Sequence, residues 1–184
     1  MNRSLELHEN DLGFPQPWVA VRCAGESLER PVPSRPLAHG RDQHLIFAFV
    51  VRWLKGLAPI PGAPQIFDTM LLGATGLFHP ARLRAISEVE AQVRRWPGME
   101  IGVHRLGGIG FFFEGKESSH IHGNGLLDCF VGRRSRDELI GDGRAFPHHI
   151  FPRSGWISFW IQDEEDVRPA LALIRIAAER LTAA

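Results

Sequence analysis

Between Met99 and Val131 the apolar residues fall into step with a period of two, and glycine-bearing turns cut the stretch into short pieces. Met99, Ile101 and Val103 alternate with polar or small residues. Gly107-Gly108 has the composition of a two-residue hairpin turn. Ile109 to Glu114 reads as the return strand, and in that register His104 faces Phe111. Gly115-Lys116 and Gly123-Asn124-Gly125 mark two more reversals, so a third strand carries His120 and His122 and a fourth runs over Leu126–Val131. Trp156–Ile161 supplies a fifth strand. Sequential short strands joined by tight turns make an antiparallel sheet.

Helical spacing flanks this sheet on both sides. Pro80 is suited to a first helical position, and Leu83, Ile86, Val89, Val93 and Trp96 then lie on one face until Pro97-Gly98. At the other end Asp163-Glu164-Glu165-Asp166 places negative charge at a helix N-terminus. The stripe Val167, Ala170, Leu171, Ile174, Ala178 and Leu181 follows, with the first turn shifted towards 166 or 167 by Pro169. Ser135-Arg136-Asp137-Glu138 matches a capping box and predicts a short helix ending at Gly141. A second helix is predicted over 66–76. The fold class is therefore α+β: an antiparallel sheet of about five strands with flanking helices, including an amphipathic C-terminal one. Helices from the two ends pack on one face, which leaves the other face or an edge for polar residues.

The first 40 residues, with Pro31, Pro33 and Pro36, read as a Pro-rich arm, and 41–184 as a single domain. A helix is predicted at 42–57, where the apolar run Leu45–Val51 is broken by Arg52 and Lys55. The run is far short of the ~20 apolar residues that span a bilayer. A core helix is the expected role, an interfacial one the alternative, and membrane association is not expected. Lys+Arg and Asp+Glu are equal at 21 each, which gives no global field for nucleic acid. Two cysteines, Cys23 and Cys129, make no disulfide framework. Cys129 lies in an apolar run as a buried thiol, and a reduced, cytoplasmic setting is expected.

The chemistry concentrates after residue 116. Four of the nine histidines fall within residues 117–149, together with Glu117 and Asp128. Alternate residues of a strand share a face, so His120 and His122 point the same way. That spacing lets two imidazoles reach one ion at about 2.0–2.1 Å each. Glu117 faces away from His120 in a regular strand and joins it only through a bulge or a helical turn. Asp128 sits among apolar neighbours, where a buried carboxylate needs a partner, and histidine is the natural one. Of His148-His149, adjacent residues of an extended chain, one is expected to reach the site, with His149 preferred. His104 could close the group from the first hairpin. Since the chain has no tyrosine, acid–base chemistry falls to these side chains.

From about residue 60 onward an ordered set of motifs resembles the luciferase-like domain family, named for the fungal bioluminescence luciferases. They are Trp96-Pro97-Gly98, His104-Arg105-Leu106-Gly107-Gly108, Glu117-x-x-His120-x-His122-Gly123 and Leu127-Asp128. Arg136-x-x-Leu139, Gly143, His148-His149 and Pro152-x-Ser154-Gly155-Trp156 complete the set. The sequence departs from bacterial relatives at Ser118-Ser119, where an apolar residue and Gly are frequent. The resemblance implies an oxidoreductase, of monooxygenase type, that uses O2 on a small phenolic or enolic molecule. In that reading His120 or His122 removes a proton, Asp128 orients the imidazole, and His149 or Arg136 steadies an oxyanion. His104, Phe111, Glu117, Arg136, His148 and Trp156 are the expected substrate-binding set. Two alternatives stand beside it. One is a divalent-metal site built on His120, His122 and His149; the other is a non-catalytic module for a small molecule or a protein.

Overall fold

The computed structural model describes residues 63–105 and 107–182. The expected arm at 1–40, the candidate helix at 42–57 and Cys23 lie outside the described residues.

Helix α1 (Ala63–Phe78) and helix α2 (Pro80–Val93) come first, separated by His79. Strands β1 (Met99–Val103), β2 (Ile109–Phe113), β3 (Lys116–Ile121) and β4 (Leu126–Phe130) follow as a meander. Helix α3 (Arg133–Gly141), a two-residue strand β5 (Phe146–Pro147) and strand β6 (Trp156–Trp160) come next. A 3-10 turn (Glu164–Asp166) then leads into helix α4 (Val167–Thr182). The six strands form one antiparallel sheet in the order β1-β2-β3-β4-β6-β5.

The expected α+β architecture is therefore present, with a sixth strand too short to leave a periodic signal. Helix α3 begins at Arg133 with Gly132 as its N-cap and no side-chain cap. The predicted capping box is not used, because Glu138 instead pairs with Arg134 one turn earlier, at 3.1 Å. Helix α4 starts at Val167, and the Asp163 carboxylate caps the preceding 3-10 turn through the N–H of Glu165. No helix among the described residues is long and apolar enough to cross a membrane.

The two sheet faces divide the labour. Phe111, Ile121, Leu127, Cys129 and Ile157 form one buried cluster with Ile86, Val89 and Val93 of α2 and Ala170, Leu173, Ile174 and Ala177 of α4. Each is nearly or fully removed from water, and burial of one such large aliphatic or aromatic side chain stabilises the fold by about 1.5–3 kcal/mol. Cys129 is a buried free thiol in this core, and burial pushes its pKa well up.

The first hairpin corrects a register. Val103 pairs with Ile109 and Ile101 with Phe111, so residues 104–108 form a five-residue loop instead of a two-residue turn. His104 closes that loop, its N–H donating to the Gly108 carbonyl at 3.1 Å. Gly108 adopts φ +90°, and a Cβ there would stand 2.3 Å from the Ile121 carbonyl oxygen. The observed pairing differs from the expected one by an odd number of residues, which reverses the faces. Phe111 is consequently a core residue, 0% exposed, and does not line the polar face.

The opposite face carries one row across the sheet: Gly102, Gly110, His120, Asp128, Ser158 and Phe146 are successive register partners. Helix α1 closes on the end of this face through Gly123, whose N–H donates to the Asp68 carboxylate at 2.8 Å. A Cβ on Gly123 would lie 2.6 Å from both Asp68 O and Leu72 N. Gly123→Ala is therefore expected to destabilise the protein by about 1–3 kcal/mol, seen as a lower urea midpoint. Gly141→Ala, with nothing within 4 Å of the added carbon, should be neutral or slightly stabilising in the same assay.

Candidate metal centre

The Asp128 side chain is 0% exposed and points out from the centre of β4. Its Oδ1 accepts the Ser158 hydroxyl at 2.5 Å from the neighbouring strand. Its Oδ2 is buried and accepts no hydrogen bond. Four imidazole nitrogens stop short of that oxygen: His122 Nε2 at 3.4 Å, His120 Nε2 at 3.5 Å, and His148 Nε2 and His149 Nδ1 at 3.7 Å each. Ligands at 2.0–2.2 Å from a tetrahedral ion lie about 3.3–3.6 Å from one another. The two shorter separations fall on that edge length, and the other two lie just outside it.

Each histidine arrives by a different local device. His120 sits opposite Asp128 in register, and His122 follows two residues on, as alternation predicts. Glu117 reaches the same face because β3 carries a bulge: Phe111 pairs with Ser119 but Phe112 pairs with Glu117, leaving Ser118 as the extra residue. Ser118 is anchored by donating to the Phe111 carbonyl at 3.1 Å. Glu117 Oε1 then meets His120 Nδ1 at 2.7 Å and His104 Nδ1 at 2.9 Å. The His104 and His120 rings stack at 3.8 Å with 9° between planes.

Both members of the His148-His149 pair reach Asp128, which corrects the expectation of one. The chain is not extended here. His148 Nδ1 accepts the backbone N–H of Ile150 at 3.1 Å and of Phe151 at 3.0 Å, which folds the loop back and stacks the two rings at 4.4 Å. Two nitrogens of the Arg136 guanidinium are already engaged. They donate to Asp137 and to the Pro152 carbonyl, tying α3 to the loop that carries both histidines. Trp156 flanks the site, its ring 5.6 Å from His120 and 5.8 Å from His148.

Asp68 was missed by the sequence reading. It lies on α1 with its Oδ1 3.6 Å from His122 Nδ1. The signal available was a single carboxylate in the otherwise uncharged run Ala63–Phe78.

Proton positions follow from these contacts. A neutral His120 that donates from Nδ1 to Glu117 presents an Nε2 lone pair to Asp128. This is the arrangement of a metal-binding histidine oriented by a carboxylate. Without an ion, protons neutralise the cluster. Burial lowers the His122 pKa, but contacts with Asp128 and Asp68 outweigh it and hold the group at about 9. His120 is raised in the same way, against burial, by Asp128 and Glu117. Burial would raise Glu117, yet His104 and His120 bring it down to about 2. Asp128 is held well below the usual carboxylate range, the histidines overcoming its burial. Three groups can offer ligand atoms to an ion: His120, His122 and Asp128; His104, Glu117 and His120; and Asp128, His148 and His149. A buried His/Asp/Glu cluster capable of coordinating a divalent metal is thus present.

Residues 115–177 match the Luciferase domain family, fewer than half of the 184. The matched stretch contains Glu117, His120, His122, Asp128, His148 and His149, and leaves Asp68 and His104 outside. No curated protein and no solved structure matches the chain.

The pKa shifts give a stability profile for metal-free protein. The contribution of Glu117 is complete above the ordinary 4.5 and is lost as pH falls towards about 2. That of His122 is complete below the ordinary 6.5 and is lost as pH rises through about 9. Urea unfolding of chelator-treated protein should therefore show the cluster most stabilising between pH 4.5 and 6.5. Glu117→Gln should flatten the acid limb and His122→Asn the alkaline limb.

Proposed function

We propose that this protein is a metal-dependent enzyme acting on a small molecule, with His120 Nε2, His122 Nε2 and Asp128 Oδ2 as the ligands. The observation that carries the reading is the buried Asp128 Oδ2, which accepts no hydrogen bond and is ringed by imidazole nitrogens at 3.4–3.7 Å. Those gaps are too long for good hydrogen bonds and close to the edges of a metal polyhedron.

The surrounding residues support this assignment. Glu117 holds the proton of His120 on Nδ1, and His104 braces both through its own Nδ1 and its stacked ring. Asp68 stands behind His122 in the same relation at longer range. Ser158 occupies Asp128 Oδ1 and so leaves Oδ2 as the oxygen offered to an ion. These are positioning residues, and His104 and Glu117 are better placed for that work than for substrate binding.

Two histidines and one carboxylate with further positions open is also a donor set suited to non-haem iron and O2. On that ground, and on the domain match, the reaction we propose is oxygenation of a phenolic or enolic substrate. A divalent ion at the site would supply the positive charge that favours an ionised phenol or enol. The protein would contribute apolar contact from Trp156 and Phe130, whose rings lie 5.4 Å apart and are tilted by 46°.

Elemental analysis of untagged protein is expected to find about one divalent metal per chain after reloading. His120→Ala, His122→Ala and Asp128→Ala should each abolish stoichiometric uptake. Glu117→Gln should weaken it by about 10–100-fold while leaving the ligands in place. A folded protein that takes up no metal would leave the cluster as a binding or acid–base network and end this reading.

A further inference from the structure

His148 differs from the other three histidines in which nitrogen is engaged. Its Nδ1 accepts two backbone N–H groups, from Ile150 and Phe151. A backbone N–H can only donate, so Nδ1 carries a lone pair and the ring proton of the neutral imidazole sits on Nε2. That nitrogen is the one facing Asp128 Oδ2, 3.7 Å away. An Nε2 that holds the proton has no lone pair for a metal. To ligate through Nε2, the ring would have to move its proton to Nδ1 and expel both backbone donors.

The ring is also clamped. His149 stacks on it at 4.4 Å and Phe151 at 5.5 Å, and Trp156 meets it at 5.8 Å and 61°. The Nε2–H is therefore a pre-set donor at the margin of the ligand set, held by contacts that do not depend on an ion. A fixed N–H beside the metal ligands complements a bound atom with negative charge and a spare lone pair.

We infer that His148 is a hydrogen-bond donor to an anionic ligand at the metal, of the class of a phenolate or enolate oxygen, and not a metal ligand itself. The inference rests on the metal reading above.

The informative substitution is His148→Asn. Its side-chain oxygen can accept the same backbone N–H groups, as in an Asx turn, so the loop is preserved while the distal donor is lost. The probes are Co(II), followed by its visible spectrum, and azide as the anion. We expect His148→Asn to take up cobalt to the same stoichiometry as the unaltered chain, but to bind azide about 10-fold or more weakly, the loss of one charge-assisted hydrogen bond. His122→Ala, which removes a ligand, should instead abolish cobalt uptake. Cobalt lost from His148→Asn as from His122→Ala would make His148 a ligand and overturn the inference. So would azide affinity unchanged by His148→Asn. The 15N spectrum of the unaltered, metal-free protein gives a second readout: His148 should show an unprotonated Nδ1 and a protonated Nε2, and the opposite tautomer would overturn the assignment. Should the unaltered chain take up no cobalt, the metal reading falls, and the nitrogen spectrum still decides whether His148 is a fixed Nε2–H donor.

Discussion

A carboxylate fully removed from water, Asp128, sets the terms for everything on the polar face of this sheet. An isolated charge in that position is costly, and the structure compensates by crowding imidazoles around one of its oxygens. The other oxygen is committed to Ser158 across a strand boundary. Each remaining feature of the site follows from this arrangement. His120 must be aligned in register with Asp128, and its far nitrogen must meet a second carboxylate. The loop after Pro147 must bend back so that two more rings arrive.

The division of the sheet into two faces makes this affordable. The apolar face is covered by α2 and α4 and carries the packed core. The polar row can then hold groups whose charges are satisfied by one another. The bulge at Ser118 connects the two faces. It inserts one residue into β3, which brings Glu117 round to His120 while Ser119 and Ile121 stay on the core side. Without it, a regular strand would deliver either the histidines or the glutamate to the site.

Much of this was legible from alternation and turn chemistry alone. The helices at 80–93 and 167–182, the meander, the common direction of His120 and His122, and the buried Asp128 all follow from local periodicity. What failed was non-local or sub-periodic. The Gly107-Gly108 pair has the composition of a tight turn, but Gly108 is needed where the chain passes the Ile121 carbonyl. The loop therefore widens, and Phe111 changes face. His148 and His149 were separated by an argument that holds only for extended chain. Two backbone hydrogen bonds to His148 Nδ1 remove that premise, and no composition signal announces them. Asp68 lies 60 residues from Asp128, and only the close approach of Gly123 to α1 reveals that it belongs to the site.

A polar network kept for structure and a site kept for chemistry differ in how they treat their last acceptor. Structural networks in a protein interior satisfy each buried atom, because an unsatisfied one costs about 1–3 kcal/mol. Asp128 Oδ1 is satisfied in this way, by the Ser158 hydroxyl. Oδ2, on the same side chain, accepts no hydrogen bond, and the nearest nitrogen stops at 3.4 Å. The rings have contacts on their other sides: Glu117 on His120, and the stack of His149 and Phe151 on His148. In the metal-free protein the protonated imidazoles offset the Asp128 charge; a divalent cation bound by the same side chains would do so in their place, and this is the ground for reading the cluster as a metal site.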